Sequence, residues 1–161
     1  MPTRRNFILS LSALGAASTA WACPVPVRVN GGPHSVLMLN AACGDAKSPN
    51  VFTPAILRIA VDDSATFIPT DSGHNAASKR GMIPEGAEPW NGGIDEELTV
   101  NFTVPGVYGY LCLPHYEMGM VGLIVVGEDL SNLAQVKKVR HPGAARKNFR
   151  MLLKQLEGGT N

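Results

Sequence analysis

The stretch Cys112-Leu-Pro-His-Tyr-Glu-Met-Gly-Met120 places a thiol, an imidazole and a thioether in one short loop, and His74 lies well upstream. Cys112, His115 and Met120 can therefore converge on one metal ion. His74 must come from a second loop, so the site depends on a fold that brings both loops together. One thiolate, two imidazoles and one thioether are the donor set of a type 1 copper site.

Other interpretations of these residues remain open at this point. A lone cysteine is often a small buried hydrophobe, and a lone methionine often fills a core. Zinc accepts cysteine and histidine, but its structural sites rarely use methionine, and the chain lacks CxxC or HxxxH spacing. A cysteine–histidine pair could also act as a nucleophile. The methionine beside both donor types favours copper.

Short apolar segments bounded by turn residues extend outward from this loop in both directions. Leu98, Val100, Phe102 and Val104 alternate with polar residues, which is typical of a half-buried strand. The predicted strands are Ser35–Asn40, Ala55–Val61, Ala65–Ile68, Leu98–Val104, Val107–Cys112 and Met120–Val126. Strands with few helices between them predict an all-β sandwich or barrel, with the loops that carry the four donors at one pole.

The C-terminal part, residues 130–161, changes character. Apolar residues from Leu130 to Val136 have helical spacing, His141-Pro142-Gly143 interrupts the chain, and an amphipathic segment runs from Ala145 to Leu156. We expect two α-helices packed on a sandwich formed by residues 35–129. His141 lies beside the Pro-Gly break and is not expected to be a metal ligand.

The first 22 residues resemble an export signal. Arg4-Arg5 precedes an apolar, small-residue stretch from Phe7 to Ala20, and Ala20-Trp21-Ala22 is a cleavage cue. The paired arginines favour twin-arginine export, although an ordinary Sec signal carrying two arginines remains open. Residues 23–34, rich in proline and glycine, predict an extended lead-in.

Composition limits the classes of function. The 161 residues carry a formal net charge of +1, which argues against a nucleic-acid binder. Beyond the export signal, no segment is apolar enough to span a membrane. If Cys112 holds the metal, Cys23 and Cys43 remain as a disulfide pair suited to an oxidising compartment. Lipidation of Cys23 is the alternative.

Four stretches together resemble the pseudoazurins, small cupredoxins of bacterial periplasms: Thr66–Asn75, Gly81–Glu88, Pro105–Tyr108 and Cys112–Met120. The resemblance implies a Greek-key sandwich with one type 1 copper ion, and a non-enzymatic carrier of electrons to periplasmic redox proteins such as copper nitrite reductase. It assigns the ligands His74, Cys112, His115 and Met120, and it implies that the backbone N–H of Asn75 donates to the Cys112 sulfur.

The predicted electron port is the edge of His115. Pro114, which has no N–H to offer the sulfur, and Met118 are expected to surround it with apolar surface, with Leu111 or Trp90 as further candidates. The lysines that usually ring this face in pseudoazurins are largely missing. Residues 35–129 hold four basic and twelve acidic residues, whereas residues 130–161 hold seven basic and one acidic. The same ligands would also suit a copper carrier or sequestering protein without a redox partner.

Overall fold

The computed structural model describes residues 34–42 and 45–158, and for residues 45–48 the backbone alone. The predicted export signal, nearly all of the lead-in, and both Cys23 and Cys43 lie outside the described residues. Their roles therefore remain predictions.

The described chain forms two four-stranded sheets packed face to face. The strands are β1 (His34–Ala42), β2 (Asp45–Thr53), β3 (Ile56–Ile59), β4 (Ser64–Pro69), β5 (Ala77–Ser78), β6 (Leu98–Asn101), β7 (Gly106–Leu111) and β8 (Val121–Val126). One sheet has the order β2-β1-β4-β6 and the other β3-β8-β7-β5. The chain passes repeatedly from sheet to sheet, and the pairs β1–β4 and β3–β8 are parallel. The prediction of an all-β Greek-key sandwich followed by two C-terminal helices is confirmed.

Strand β8 is buried on both faces, which explains its continuous apolar sequence. Ile124 and Val126 point into the core between the sheets, where Phe67 and Tyr110 also lie. Leu123 and Val125 belong to a second core on the outer face of the sheet. Because β8 begins directly after the loop of predicted ligands, both cores support that loop.

The second core is completed by the C-terminal helices α1 (Leu133–Val136) and α2 (Ala145–Gly158). The predicted apolar stripe of α2 is the buried one and consists of Ala145, Phe149, Leu152, Leu153 and Leu156. Helix α1 is a single turn, shorter than the predicted segment from Leu130. No helix among the described residues is both long and apolar enough to cross a membrane.

Two strands were not predicted, and two others, β3 and β6, are each three residues shorter than predicted. Strand β2 contains Pro49 and several polar residues, which an edge strand tolerates because its outer N–H groups need no partner. Strand β5 has only two residues. Strand β6 ends at Asn101, because the N–H and carbonyl of Phe102 bond to Asp63 and Asp62 in the turn after β3.

Candidate metal centre

The segment Cys112–Met120, called the ligand loop below, joins β7 to β8. The N–H of Cys112 donates to the carbonyl of Met120 at 3.1 Å, which extends the strand ladder one pair beyond Leu111–Val121. The N–H of Met120 donates to the carbonyl of His115 at 3.1 Å. The loop is thus closed by backbone bonds at three of the four predicted ligands.

Three donor atoms from the two predicted loops converge on one point. His74 Nδ1 and His115 Nδ1 are 3.1 Å apart, and Cys112 Sγ lies 3.8 Å from the first and 3.5 Å from the second. The circumradius of a triangle with these three edges is about 2.0 Å, close to the metal–imidazole distance of about 2.0–2.1 Å known for zinc. The cluster therefore has the dimensions of a site for one transition-metal ion.

His74 is fully buried and held in the form that binds a metal. Its Nε2 lies 3.0 Å from Asn40 Oδ1, so the ring proton sits on Nε2 and the lone pair of Nδ1 faces the cluster. Burial lowers the pKa of His74, and the nearby His115 lowers it further. Both effects favour the neutral form of the ring, which is the form that binds a metal. Asp95 fixes the backbone, because its Oδ1 accepts from Gly73 N–H at 2.6 Å and its N–H donates to the His74 carbonyl at 2.8 Å.

Two opposing influences act on the thiol of Cys112. Complete burial raises its pKa, whereas hydrogen bonds from the backbone N–H groups of Asn75 and His115 lower it. The apolar surroundings exclude water, and the two N–H groups remain as the partners of a thiolate. A positive metal ion supplies the charge that a buried thiolate requires.

The side chain of Asn75 joins the two loops that carry the donors. Its Oδ1 accepts from the N–H of Leu113 at 2.8 Å, and its Nδ2 donates to the carbonyl of Gly92 at 3.0 Å. The residue is buried, so its amide lies between the loops without competing water. The resemblance implied a role only for the backbone N–H of Asn75, as a donor to the Cys112 sulfur. No pattern in the sequence indicates that its side chain bridges the two loops.

One edge of the centre reaches the surface. His115 is half-buried, and Pro114 is exposed beside it. Leu113 and Met118 expose 55% and 51% of their surface, the two largest fractions among the large apolar side chains of the described residues. The predicted port residues therefore border an apolar surface, to which the structure adds Leu113.

Two further candidates for this surface are wrong. Leu111 is buried in the second core, because strand β7 is covered on both faces. Trp90 packs into the core between the sheets, with its ring 6.1 Å from that of Phe67.

The fourth predicted ligand, Met120, is fully buried in the same core, at the closing end of the ligand loop.

Residues that support the ligands were missed by the sequence analysis. Asn40 and Asp95 lie 34 and 21 residues from His74 in sequence, and each is a common polar residue in a loop or at a strand end. Neither has a spacing that indicates its partner. Only the folded arrangement identifies them.

Comparison with known proteins agrees with this chemistry. The family described as copper binding proteins, plastocyanin/azurin family, matches residues 39–127. A pseudoazurin of Methylorubrum extorquens is 38% identical over 89% of this chain and 95% of its own length. One from Paracoccus pantotrophus is 39% identical over 91% and 97%. A solved pseudoazurin structure from a Sinorhizobium species has a TM-score of 0.74 and 43% identity, covering 78% of this chain and 96% of that one.

Proposed function

The chain belongs to the plastocyanin/azurin family of copper-binding proteins and, within it, to the pseudoazurins, and from this premise we propose that it carries single electrons between redox proteins of the periplasm. Pseudoazurins and plastocyanins are copper-dependent electron carriers and not enzymes. The ligands proposed for one type 1 copper ion are His74, Cys112, His115 and Met120. The observation that carries the proposal is the convergence of two imidazole nitrogens and one thiol sulfur within 4.8 Å of one another.

The bound ion supplies a one-electron couple, and the protein keeps the geometry of the donors fixed while the charge changes. His74 is held through Asn40 and Asp95, and Cys112 through the backbone of Asn75. Met120 is held by its two backbone bonds within the ligand loop. Because all of these bonds are made by protein groups, they would hold the donors in one arrangement in both oxidation states. Little rearrangement then accompanies a change of oxidation state, and electron exchange can be fast.

Electrons are proposed to enter and leave through His115. His74 is fully buried, whereas His115 is half-buried, follows the exposed Pro114 and shares the ligand loop with the exposed Met118. An apolar surface around a single exposed ligand suits brief and weak encounters, in which a partner must dock and leave quickly. The proposed partner is a periplasmic reductase, with copper nitrite reductase as the leading candidate. The export signal supports the location.

A copper carrier would need to release its ion to an acceptor. The enclosed position of His74 and Cys112, both without exposed surface, favours retention instead. The deciding experiment loads the purified mature chain with copper and records its optical and EPR spectra. It then measures electron transfer to a copper nitrite reductase and copper transfer to a metal-free acceptor. A type 1 spectrum with rapid electron transfer supports the proposal. Ready loss of copper to the acceptor, without electron transfer, would overturn it in favour of a carrier.

A further inference from the structure

The helical tail, residues 130–158, contacts the ligand loop from outside with three hydrogen bonds. Tyr116 Oη lies 2.8 Å from His141 Nδ1. The carbonyl of Glu117 accepts from the N–H of Ala144 at 2.8 Å. The carbonyl of Gly119 accepts from the side-chain amide of Asn148 at 2.8 Å. All three loop residues lie between His115 and Met120, so the tail holds the whole span that separates two proposed ligands.

The contact between tail and loop is close as well as polar. A Cβ atom on Gly143 would lie 2.3 Å from the carbonyl oxygen of Glu117, and one on Gly119 would lie 2.5 Å from Asn148 Nδ2. Both glycines have a positive φ, of 46° and 101°, which other residues seldom adopt. The sequence thus has glycine at two points of close approach: Gly143 of the tail meets the loop backbone, and Gly119 of the loop meets the side chain of Asn148.

The bond from Asn148 acts on the peptide group that precedes the proposed axial ligand. That planar unit joins Gly119 to Met120. Its carbonyl is held by Asn148, and its N–H donates to the carbonyl of His115 at 3.1 Å. With both ends held, the peptide cannot rotate, and the backbone of Met120 is fixed. The N–H of this peptide bonds within the ligand loop. Among the described residues, Asn148 is the one partner from outside the loop that bonds to the peptide.

We infer that Asn148 is a positioning residue for the copper site, acting through the Gly119–Met120 peptide, and that the helical tail is part of the frame of that site. This inference rests on the proposed ligand set. The side-chain amide of Asn148 donates to a backbone carbonyl and not to a ligand side chain. Its amide helps to set the orientation of the Met120 backbone, from which the thioether would reach the ion. Because a thioether is a weak axial ligand, a small displacement alters the electronic structure of the site more than its stability.

The chain offers a matched control for this inference. Asn132, also in the helical tail, donates through its side-chain amide to the carbonyl of Val107 at 2.8 Å, and its Oδ1 accepts from the N–H of the same residue. These two bonds anchor the tail to strand β7, away from the ligand loop. The substitutions Asn148→Asp and Asn132→Asp each replace the donating amide with an acceptor. Asn148→Ala repeats the first without adding charge.

The first readout uses the copper-free protein, so that it does not depend on the metal. Native-state hydrogen exchange of the Met120 N–H should be faster by on the order of tenfold in Asn148→Asp and Asn148→Ala, because the peptide loses its outer partner and opens locally. It should be unchanged in Asn132→Asp. The inference would be overturned if exchange of the Met120 N–H were unchanged in both Asn148 variants. It would also be overturned if exchange were equally faster in Asn148→Asp, Asn148→Ala and Asn132→Asp.

The second readout is the visible spectrum of the copper-loaded proteins. We expect the intensity ratio of the two thiolate charge-transfer bands to change in both Asn148 variants and to stay at the parent value in Asn132→Asp. An unchanged ratio in the Asn148 variants would reduce Asn148 to a packing role. If the parent protein itself shows no such bands, the proposed ligand set has failed, and the exchange experiment alone then decides whether the tail holds the loop.

Discussion

The side chain of Asn75 and the backbone N–H of Leu113 are joined by a hydrogen bond of 2.8 Å across 38 residues of sequence. This bond couples the loop of His74 to the loop of Cys112, and the backbone of the same asparagine lies against the Cys112 thiol. One buried residue thus sets the separation between two proposed ligands and also influences the charge state of one of them.

Replacing this residue should cost stability. Asn75→Ala leaves Leu113 N–H and the carbonyl of Gly92 without their partner, and we expect a loss of about 1–3 kcal/mol, the usual cost of leaving a hydrogen-bonding group unsatisfied. Urea unfolding of the copper-free protein measures it. Asn91→Ala is the control, since Asn91 is exposed and 3.4 Å from the same amide. A larger loss in the control would contradict the bridging role.

The colour of the oxidised protein should depend on Cys112. Charge transfer from a copper-bound thiolate gives a type 1 site its intense visible band, so Cys112→Ser should abolish that band while leaving the fold intact. The circular dichroism of the copper-free variant, compared with the parent, checks the fold. Retention of the band in the serine variant would mean that Cys112 is not the thiolate ligand.

A substitution at Gly122 should lower the stability of the protein without changing its colour. A Cβ atom there would lie 2.3 Å from the ring of Tyr110, which is fully buried. Gly122→Ala should therefore lower the free energy of unfolding by on the order of 1–3 kcal/mol through overpacking, yet leave the visible band in place. Gly158→Ala, with no atom within 4 Å of the new methyl group, is the matched control and should be nearly neutral. Equal losses in the two variants would argue against a packing origin.

The copper-free protein should become less stable as the pH falls from about 7.5 to 5.5. Burial, and to a lesser extent the charge of Lys79, lowers the pKa of His141, and burial likewise lowers the pKa of His74. In the unfolded chain both rings take up protons near about pH 6.5, whereas in the folded chain they do so only at lower pH. Stability is therefore full above that pH and declines below it. His141→Gln should make the decline of the urea midpoint shallower; an unchanged slope would contradict this.

The sequence predicted the parts of this protein whose signals are local. The ligand loop, the doubly buried strand β8 and the apolar stripe of α2 each follow from residue type and spacing over a few positions. Strand β2 was missed because its polar residues and Pro49 resemble a loop, and only its pairing with β1 makes it a strand. Asn40, Asp95 and Asn148 were missed for a related reason. Their roles depend on contacts between distant segments, which no pattern along the chain encodes.

The last prediction concerns docking at the port. Met118 exposes 51% of its surface in the same loop as His115, so Met118→Glu should slow electron transfer to a copper nitrite reductase by about tenfold, through the loss of apolar contact, without changing the visible spectrum. Val61→Glu is the control, because Val61 packs on Gly127 at the far end of β8 and exposes 39%. Residues 35–129 carry only four basic residues, so we expect the parent rate to vary little with ionic strength, although Lys79 lies over the ring of Tyr116 in the ligand loop. A steep fall with added salt, or equal slowing in both variants, would show that charge rather than apolar contact governs the encounter.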